Sequence, residues 1–411
     1  MVRQLMEAIS LRMSLRNLQR GGAILILLVV GFLAGVYTDQ AVPDWLPYFA
    51  HRSVGSVDTT ELQQAIRLIQ ADYVDGNVNT TKLSHGTVQG LVAALGDPFS
   101  AYYDPEAYKR LQDSYQSRYS GIGIYLSFGS SYPTITSTVS GSPAAAAGLQ
   151  NGDQIVKVGD KDTLGITSDQ ATTLIQGPDN TKVTLTILRA GQMFSVTLTR
   201  AEIQVPTVRS TVLAGHILYV RIYQFGSGTS QEFASALSSG LRGATGIVLD
   251  LRGDPGGFIT AADDVITQFV ASGETFELRD RSGSVERHTV GAQHSAPNLP
   301  LVVLVNASSA SASEIVAGSL QVHQRAKLVG TVTYGKGSVQ QDFELKDGAD
   351  IHLTIKRWYL PNGQTIDHKG LQPDLAVTLA NAADAFDVTQ ASLGYAKDTQ
   401  LNAALKLLAV P

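Results

Sequence analysis

The sequence predicts a multidomain α+β protein that begins with a membrane helix. Three observations support this fold class. Residues 21–37 form an apolar run without charge, residues 56–118 have helical periodicity, and from 119 onward β-rich sequence leads into buried strands that alternate with helices. With 411 residues the chain has room for two to four domains, and a hydrophobic content of 44% is enough to give them cores.

Composition excludes several classes of function. The formal net charge is −5 and no long basic run occurs, which argues against nucleic-acid binding. Cysteine is absent, so disulfides, thiolate metal sites and a cysteine nucleophile are impossible. The eight histidines show no metal-ligand spacing: His288 and His294 fall in a polar loop, and His323 falls on a predicted helix. We expect no metal or cofactor.

The N-terminus predicts a membrane anchor. Residues 1–20 carry four arginines and one acid, and the apolar run at 21–37 is at the short limit of a bilayer span. A cleaved signal peptide and a buried helix are the alternatives. The positive-inside rule places the basic segment in the cytoplasm and everything after Tyr37 outside it. We therefore expect a single-pass, uncleaved anchor, followed by a linker at 38–55 that contains Pro43 and Pro47.

Two segments with different periodicity follow the linker. Residues 56–118 repeat apolar side chains at helical spacing and predict a helical N-terminal domain. Residues 119–204 are β-rich, with alternating strands at Val183–Leu188 and Phe194–Leu198 joined by a turn at Ala190-Gly191.

An α/β core is predicted over 205–380, and a helical segment over 381–411. The strand Gly246–Leu251 is apolar enough to be buried on both faces. It leads into the glycine loop Arg252-Gly-Asp-Pro-Gly-Gly257, which is either a tight turn or a loop whose N–H groups face a reaction site. Asp250 and Arg252 are interpreted as a structural ion pair, with a catalytic pair as the alternative.

The segment Asn306–Gln340 carries the chemistry. Ser311 stands among small residues before a predicted helix, and Lys336 stands between two glycines. Our hypothesis is that Ser311 is a nucleophile and that Lys336, made neutral by burial, is its general base. The spacing from Ser311 to Glu314 also fits a helix capping box, a role compatible with catalysis.

Two further interpretations fit parts of this segment. The run from Gly330 to Lys336 fits a nucleotide-binding G-x-x-x-x-G-K loop, but Gly337 stands where that loop needs Ser or Thr. A Ser-His-Asp triad is compatible with the histidine count, although the lysine hypothesis explains more of the local sequence.

These motifs resemble a known family. The runs SASASEI, RAKLVG and YGKGSVQ resemble the carboxy-terminal processing peptidases, the Ser/Lys endopeptidases of peptidase family S41. The resemblance implies that Ser311 is the nucleophile, Lys336 the base and Gln340 the residue that positions the lysine. Tyr334 replaces the family phenylalanine. Residues 91–108 resemble the N-terminal region of the same family, and the implied protease core has the crotonase/ClpP-like fold.

The resemblance also implies an oxyanion hole. The family motif D-L-R-G-N-P-G-G supplies one N–H donor, carried over to Gly256 or Gly257, and the residue after the serine, Ala312, supplies the other. Asp254 stands where the family has Asn. We expect activity to be retained, with an altered pH dependence.

Residues 119–204 resemble a PDZ domain. The runs GSPAAAAGL and NGDQIVKV carry this likeness, and Gly121, Ile122, Gly123 and Ile124 match the loop that binds a terminal carboxylate through backbone N–H groups.

Together, these features predict a membrane-anchored serine endopeptidase that acts through an acyl-enzyme on the extracytoplasmic side. Its expected partners are protein or peptide substrates with apolar C-termini and the membrane, but no nucleic acid; homo-oligomer formation is left open. Peptide binding by the PDZ domain is expected to gate the active site. The competing hypothesis is a catalytically inactive, membrane-tethered PDZ scaffold that binds peptides. A nucleotide-binding protein is the third.

Overall fold

The computed structural model describes residues 57–128, 131–139, 141–291, 298–388 and 394–409. The predicted basic segment, membrane anchor and linker, residues 1–55, lie outside these ranges. Within them, each helix is too short or too polar to cross a bilayer.

The chain divides into two compact units, residues 1–80 and 81–411. In the first, the described part contains helix α1 (Thr60–Asp72), which begins after Thr59 and buries none of its side chains. The second unit begins at the second residue of helix α2 (Thr80–Ala93) and includes the rest of the chain.

The region up to 118, predicted to be helical, also contains a short strand. Strand β1 (Ala101–Tyr103) lies between α2 and helix α3 (Pro105–Tyr115) and pairs with a strand about 250 residues later in the chain. Three residues are too few to show alternation, so sequence periodicity missed β1. Asp104 caps α3 by accepting a hydrogen bond from Ala107 N–H at 2.8 Å.

The segment predicted to resemble a PDZ domain forms two antiparallel sheets. The smaller sheet is a two-stranded ribbon in which β2 (Arg118–Gly121) pairs with β9 (Ala201–Gln204), so the two ends of the segment lie side by side. The larger sheet has the order β3-β4-β5-β7-β8, with β6 beside β5. The strands of this sheet and the two helices between them are, in chain order, β3 (Ile124–Ser127), β4 (Thr134–Thr138), α4 (Pro143–Ala146), β5 (Gln154–Val158), β6 (Lys161–Asp162), α5 (Ser168–Ile175), β7 (Lys182–Arg189) and β8 (Gln192–Thr199).

Alternation along β7 explains how this domain buries its core. Val183, Leu185 and Ile187 are buried on one face, because successive strand residues point to opposite faces. The predicted turn between β7 and β8 is present. Ala190 and Gly191 both have positive φ, 48° and 82°, as the primed hairpin turns require.

The α/β core is a six-stranded sheet of order β10-β11-β12-β15-β16-β19, parallel except for β10 at its edge. The elements of this layer are β10 (Val208–Leu213), β11 (Ile217–Ile222), α6 (Thr229–Gly240), β12 (Gly246–Asp250), α7 (Ile259–Thr267), β15 (Leu301–Val305), α8 (Ala312–Val322), β16 (Lys327–Gly330) and β19 (Leu375–Ala376). Every residue of β12 and β15 is buried, which confirms the prediction for β12. Since neighbouring parallel strands end at the same sheet edge, the loops after β12 and β15 lie side by side.

A second core sheet contains β1, β13 (Glu274–Asp280), β14 (Val285–Thr289), β17 (Ser338–Glu344) and β18 (Asp350–Tyr359). Strand β18 is the longest of this sheet and carries Trp358 near its end. Trp358 is fully buried and donates its indole N–H to the Lys336 carbonyl at 2.8 Å.

The C-terminal helix is attached to the core through buried polar groups. Helix α9 (Thr399–Leu408) is capped by Asp398, which accepts a hydrogen bond from Leu401 N–H at 2.8 Å. The guanidinium of Arg252, directly after β12, contacts both Asp398 and Asp250. The interpretation of Asp250 and Arg252 as a structural ion pair is therefore supported, and the helix is fastened to the start of the glycine loop.

Candidate active site

Ser311 lies at the sharp turn between β15 and α8. Its backbone has φ 54° and ψ −115°, a conformation that is strained for any residue with a side chain. Such strain collects at functional sites, and a nucleophilic serine on a strained turn from strand to helix is a known catalytic arrangement. The turn therefore supports a role for Ser311 beyond that of a cap.

Glu314 links the predicted nucleophile to the predicted base. One carboxylate oxygen of this buried residue accepts hydrogen bonds from the backbone N–H groups of both Ser311 and Lys336, each at 2.9 Å. The other oxygen accepts from Gly335 N–H at 2.7 Å and from the Thr333 hydroxyl. Burial raises the pKa of Glu314, while these donors oppose the rise. The Glu314 side chain accepts from Ser311 N–H as in the predicted capping box, and it thus also brings the Ser311 and Lys336 backbones together.

The two glycines beside Lys336 are required by close backbone contacts. A Cβ on Gly335 would lie 2.8 Å from the backbone nitrogen of Gly370, and one on Gly337 would lie 2.6 Å from Cβ of Asp367. Gly335 also has a positive φ of 89°. The lysine is therefore held in a tight segment, as the sequence indicates.

The side chain of Lys336 is half-buried and packs on an aromatic ring. Its Nζ lies 5.1 Å from the centroid of Phe99, within the range of a cation–π contact. Burial lowers the pKa of Lys336, while the charges of Asp97 and Glu314 oppose that shift. Among the described residues no hydrogen bond joins Nζ to the Ser311 hydroxyl, so the structure brings the two backbones together without pairing the side chains.

Replacing Lys336 with methionine tests whether its amine is buried. Because the folded-state pKa lies below the unfolded value of about 10.4, the unfolded chain binds more protons between the two values. The free energy of unfolding of the wild type then rises with pH between the folded-state and unfolded-state pKa values. Below the folded-state pKa the amine is charged in both states, and burying the charge destabilises the wild type by its full amount. We expect the Tm of Lys336→Met minus that of wild type to fall as pH rises from about 7 to about 10.

Lys346 provides the control for that measurement. It is exposed in the loop between β17 and β18, so Lys346→Met changes the same functional group without removing a buried one. A Tm difference for Lys336→Met that stays constant with pH would contradict the burial of the amine.

The glycine loop packs directly against Ser311. A Cβ on Gly256 would lie 2.8 Å from Cβ of Ser311 and 2.9 Å from the nitrogen of Ala312. The N–H of Gly256 donates to Asp254 Oδ1 at 2.8 Å. In the described part of the chain, the N–H groups of Gly257 and Ala312 have no hydrogen-bond acceptor. Of the two glycines proposed from the sequence, Gly257 is therefore the one with a free donor.

Asp254 connects the glycine loop to the loop that carries Ser311. Its backbone carbonyl accepts hydrogen bonds from Ala310 N–H and the Ser313 hydroxyl, both at 3.0 Å. The side chain is fully buried, and among the described residues Oδ2 has no hydrogen-bond partner. Burial raises the pKa of Asp254 well above its ordinary value.

Gln340 lies on β17, and its side chain bonds to residues other than its predicted partner. The amide nitrogen donates to the hydroxyls of Ser338 at 2.8 Å and Thr354 at 3.0 Å. No hydrogen bond between Gln340 and Lys336 occurs in the described residues. The positioning role of Gln340 stays a prediction.

The predicted carboxylate-binding loop connects β2 to β3. Gly123 has φ +75°, and a Cβ there would lie 2.2 Å from Cβ of Ser142. The Gly123 carbonyl accepts hydrogen bonds from Val139 N–H at 2.9 Å and from the Ser142 hydroxyl at 3.2 Å. These contacts hold the loop Gly121–Ile124 in a fixed shape that only glycine permits at 123.

Two parts of the site were not assigned from the sequence. Glu314 was interpreted only as a capping residue, because the sequence pattern shows its position at the helix start and not its contacts with Gly335 and Lys336. Asp97 and Phe99 approach Lys336 from a segment about 240 residues earlier. No local pattern predicts a contact over that sequence distance.

Comparison with known proteins identifies the class. Three family models match the chain: Peptidase family S41 at 216–377, PDZ domain at 134–189, and Activating protease CtpB N-terminal domain at 49–107. The crystal structure of a protein assigned to the S41 proteases, from Bacteroides fragilis, has the same fold. It has a TM-score of 0.55 and 18% identity over 87% of this chain and 92% of that one. The fold and its domains are those of an S41 peptidase with a PDZ domain.

Curated relatives narrow the class. Carboxy-terminal processing protease CtpB of Bacillus subtilis is 33% identical over 324 residues, which cover 77% of this chain and 67% of that protein. The carboxyl-terminal-processing protease of Synechocystis sp. is 35% identical over 361 residues, covering 86% and 83%. The chain belongs to the carboxy-terminal processing proteases of family S41, which are serine proteases.

Proposed function

We propose that this serine protease cleaves exported proteins with a Ser311–Lys336 dyad, after its PDZ domain has bound their C-termini. The observation that carries the proposal is the strained turn at Ser311, held by the same Glu314 carboxylate that binds the Lys336 backbone. The lowered pKa of Lys336 favours the neutral amine that a general base must be.

The first chemical step forms an acyl-enzyme. Ser311 Oγ attacks the peptide carbonyl carbon while the neutral Lys336 amine accepts the hydroxyl proton. That proton then passes to the leaving amine, and water hydrolyses the ester. Because Lys336 Nζ rests over Phe99, the lysine side chain has to turn toward Ser311 before the dyad acts. We propose that peptide binding by the PDZ domain favours this turn and so gates the active site.

The oxyanion is held by backbone donors. We assign this role to the N–H groups of Gly257 and Ala312, since the N–H of Gly256 is already bonded to Asp254. Ala312 is the first residue of α8, where unpaired N–H groups and the helix dipole favour negative charge. In this proposal Gly256 allows the loop to approach Ser311 closely, and Gln340 positions the lysine through the start of β17.

We infer the location of the enzyme from its N-terminal sequence. The arginines of residues 1–20 and the apolar run at 21–37 support a single-pass anchor, with the protease on the extracytoplasmic side. Substrates there would be exported proteins with apolar C-termini.

A peptide with an apolar C-terminus, offered as the free acid and as the amide, tests the proposed function. Backbone N–H groups that bind a carboxylate lose a charge-assisted hydrogen bond with the amide, so we expect the amide to be cleaved about tenfold to a hundredfold more slowly. Gly123→Ala, whose Cβ collides with Ser142, is expected to slow cleavage of the acid to the rate of the amide. Fragments are measured by mass spectrometry.

Gly191→Ala is the matched control. Gly191 also has a positive φ, 82°, but nothing lies within 4 Å of an added Cβ. We expect this variant to keep the preference for the free acid. Equal cleavage of acid and amide by wild type would contradict recognition by the PDZ domain. If neither peptide is cleaved, the inactive-scaffold alternative replaces the proposed hydrolase.

A further inference from the structure

Three side chains of the second core sheet converge on one point. Asp342 of β17 lies directly opposite His352 of β18, and Asp350 lies two residues from His352 on the same face of that strand. One potential ligand atom from each residue lies within 4.8 Å of the others. The Asp342 carboxylate is 2.5 Å from Nδ1 of His352.

Asp350 is the unexplained member of this cluster. It is fully buried, and in the described part of the chain neither carboxylate oxygen has a hydrogen-bond partner. The N–H of Phe343 approaches this carboxylate but forms no hydrogen bond with either oxygen. Burying an ionised carboxylate without a partner is costly, and Asp342 and Glu344 add further negative charge nearby. A positive group beside Asp350 would offset this cost.

We propose that Asp342, Asp350 and His352 bind a divalent metal ion. Two carboxylates and one imidazole nitrogen form a mixed ligand set that suits Zn²⁺ or Mn²⁺, whereas Ca²⁺ and Mg²⁺ prefer oxygen ligands alone. Three protein ligands leave a position for water. The side chains of Asp342 and His352 are 28% and 14% exposed, so the ion can enter from solvent.

The position of the cluster indicates what the ion does. It joins β17 to β18, and β17 begins two residues after Lys336 and carries Gln340 on the same face as Asp342. On the other side of β18, Tyr103 of β1 packs edge-on against His352, with ring centroids 6.0 Å apart. The bound ion therefore fixes the strand that follows the lysine. It takes no part in peptide hydrolysis, and the proposal does not depend on the dyad.

The full chain, stripped of metal with a chelator, tests the proposal when Zn²⁺ or Mn²⁺ alone is added back. We expect one ion per chain by calorimetry and a Tm that rises with ion concentration. Asp350→Asn and His352→Ala are each expected to weaken binding by about a hundredfold or more, because even residues that only support a ligand contribute tenfold to a hundredfold. Asp350→Asn removes a buried charge, so its metal-free form is expected to stay folded.

His288 provides the matched control. It also lies between two carboxylates, 3.5 Å from Asp263 and 3.2 Å from Glu286, but outside the proposed site. We expect His288→Ala to bind the ion as wild type does. Absence of stoichiometric binding by wild type overturns the proposal, as does binding that survives both Asp350→Asn and His352→Ala. Loss of binding in His288→Ala alone assigns the ion to another place and overturns it equally.

Discussion

Replacing Ser311 with alanine is expected to lower kcat for peptide cleavage by about 10⁵-fold or more while leaving substrate binding nearly unchanged. The hydroxyl is the proposed nucleophile, and Ser311 has the strained backbone at the start of α8. Lys336→Ala is expected to cause a loss of similar size, because the serine is a poor nucleophile without a base. The double variant should be no slower than either single variant, since the two residues act as one unit.

Ser308 provides the control for Ser311. It lies in the same loop, is exposed, and donates its backbone N–H to Asn306 Oδ1 at 3.1 Å. Ser308→Ala is expected to keep the wild-type rate within about twofold, as surface substitutions generally do. Rates are measured with the free-acid peptide under saturating and limiting conditions, which separates kcat from kcat/KM. Unchanged turnover by Ser311→Ala would contradict the assignment of the nucleophile.

Arg252→Ala is expected to destabilise the protein by about 3–5 kcal/mol, the usual effect of removing one partner from a buried ion pair. The guanidinium bonds Asp250 at 2.6 Å and Asp398 at 2.9 Å, and each of these carboxylates is fully buried. It also donates to Gln400 at 3.0 Å. Its loss leaves two buried negative charges close together and frees α9 from the end of β12.

Arg242→Ala provides a comparison at an exposed arginine that follows α6. We expect its free energy of unfolding in urea to stay within about 0.5 kcal/mol of wild type. At a temperature where Arg252→Ala is still folded, the structural interpretation predicts that cleavage continues. A variant of normal stability without activity would instead favour the catalytic pair considered for Asp250 and Arg252.

Much of the core was predictable because its residues repeat with the period of their element. The uninterrupted apolar residues of β12 predicted a strand buried on both faces, and the turn residues Ala190 and Gly191 predicted the β7–β8 hairpin. Such signals are local, since they depend on residues within one element and the turn beside it. The hypothesis for Ser311 and Lys336 also rests on local sequence, since small residues surround each of them, and the family resemblance favoured it over the alternatives.

Contacts between distant segments were not predictable in this way. Strand β1 exists because β18 pairs with it, and Phe99 meets Lys336 only through the same tertiary arrangement. The grouping of Asp342 with His352 depends on the register of β17 against β18, which includes a bulge between Val339 and Gln340. A shift by one residue would place Asp342 on the opposite face.

The central claim is that Lys336 activates Ser311 for covalent catalysis. Its most direct measurement is mass spectrometry of the full chain after treatment with a fluorophosphonate, which modifies an activated serine. The account predicts a single adduct, mapped to Ser311 and absent from Lys336→Ala. An adduct on another residue, or a chain that cleaves peptides while Ser311 stays unmodified, would contradict it.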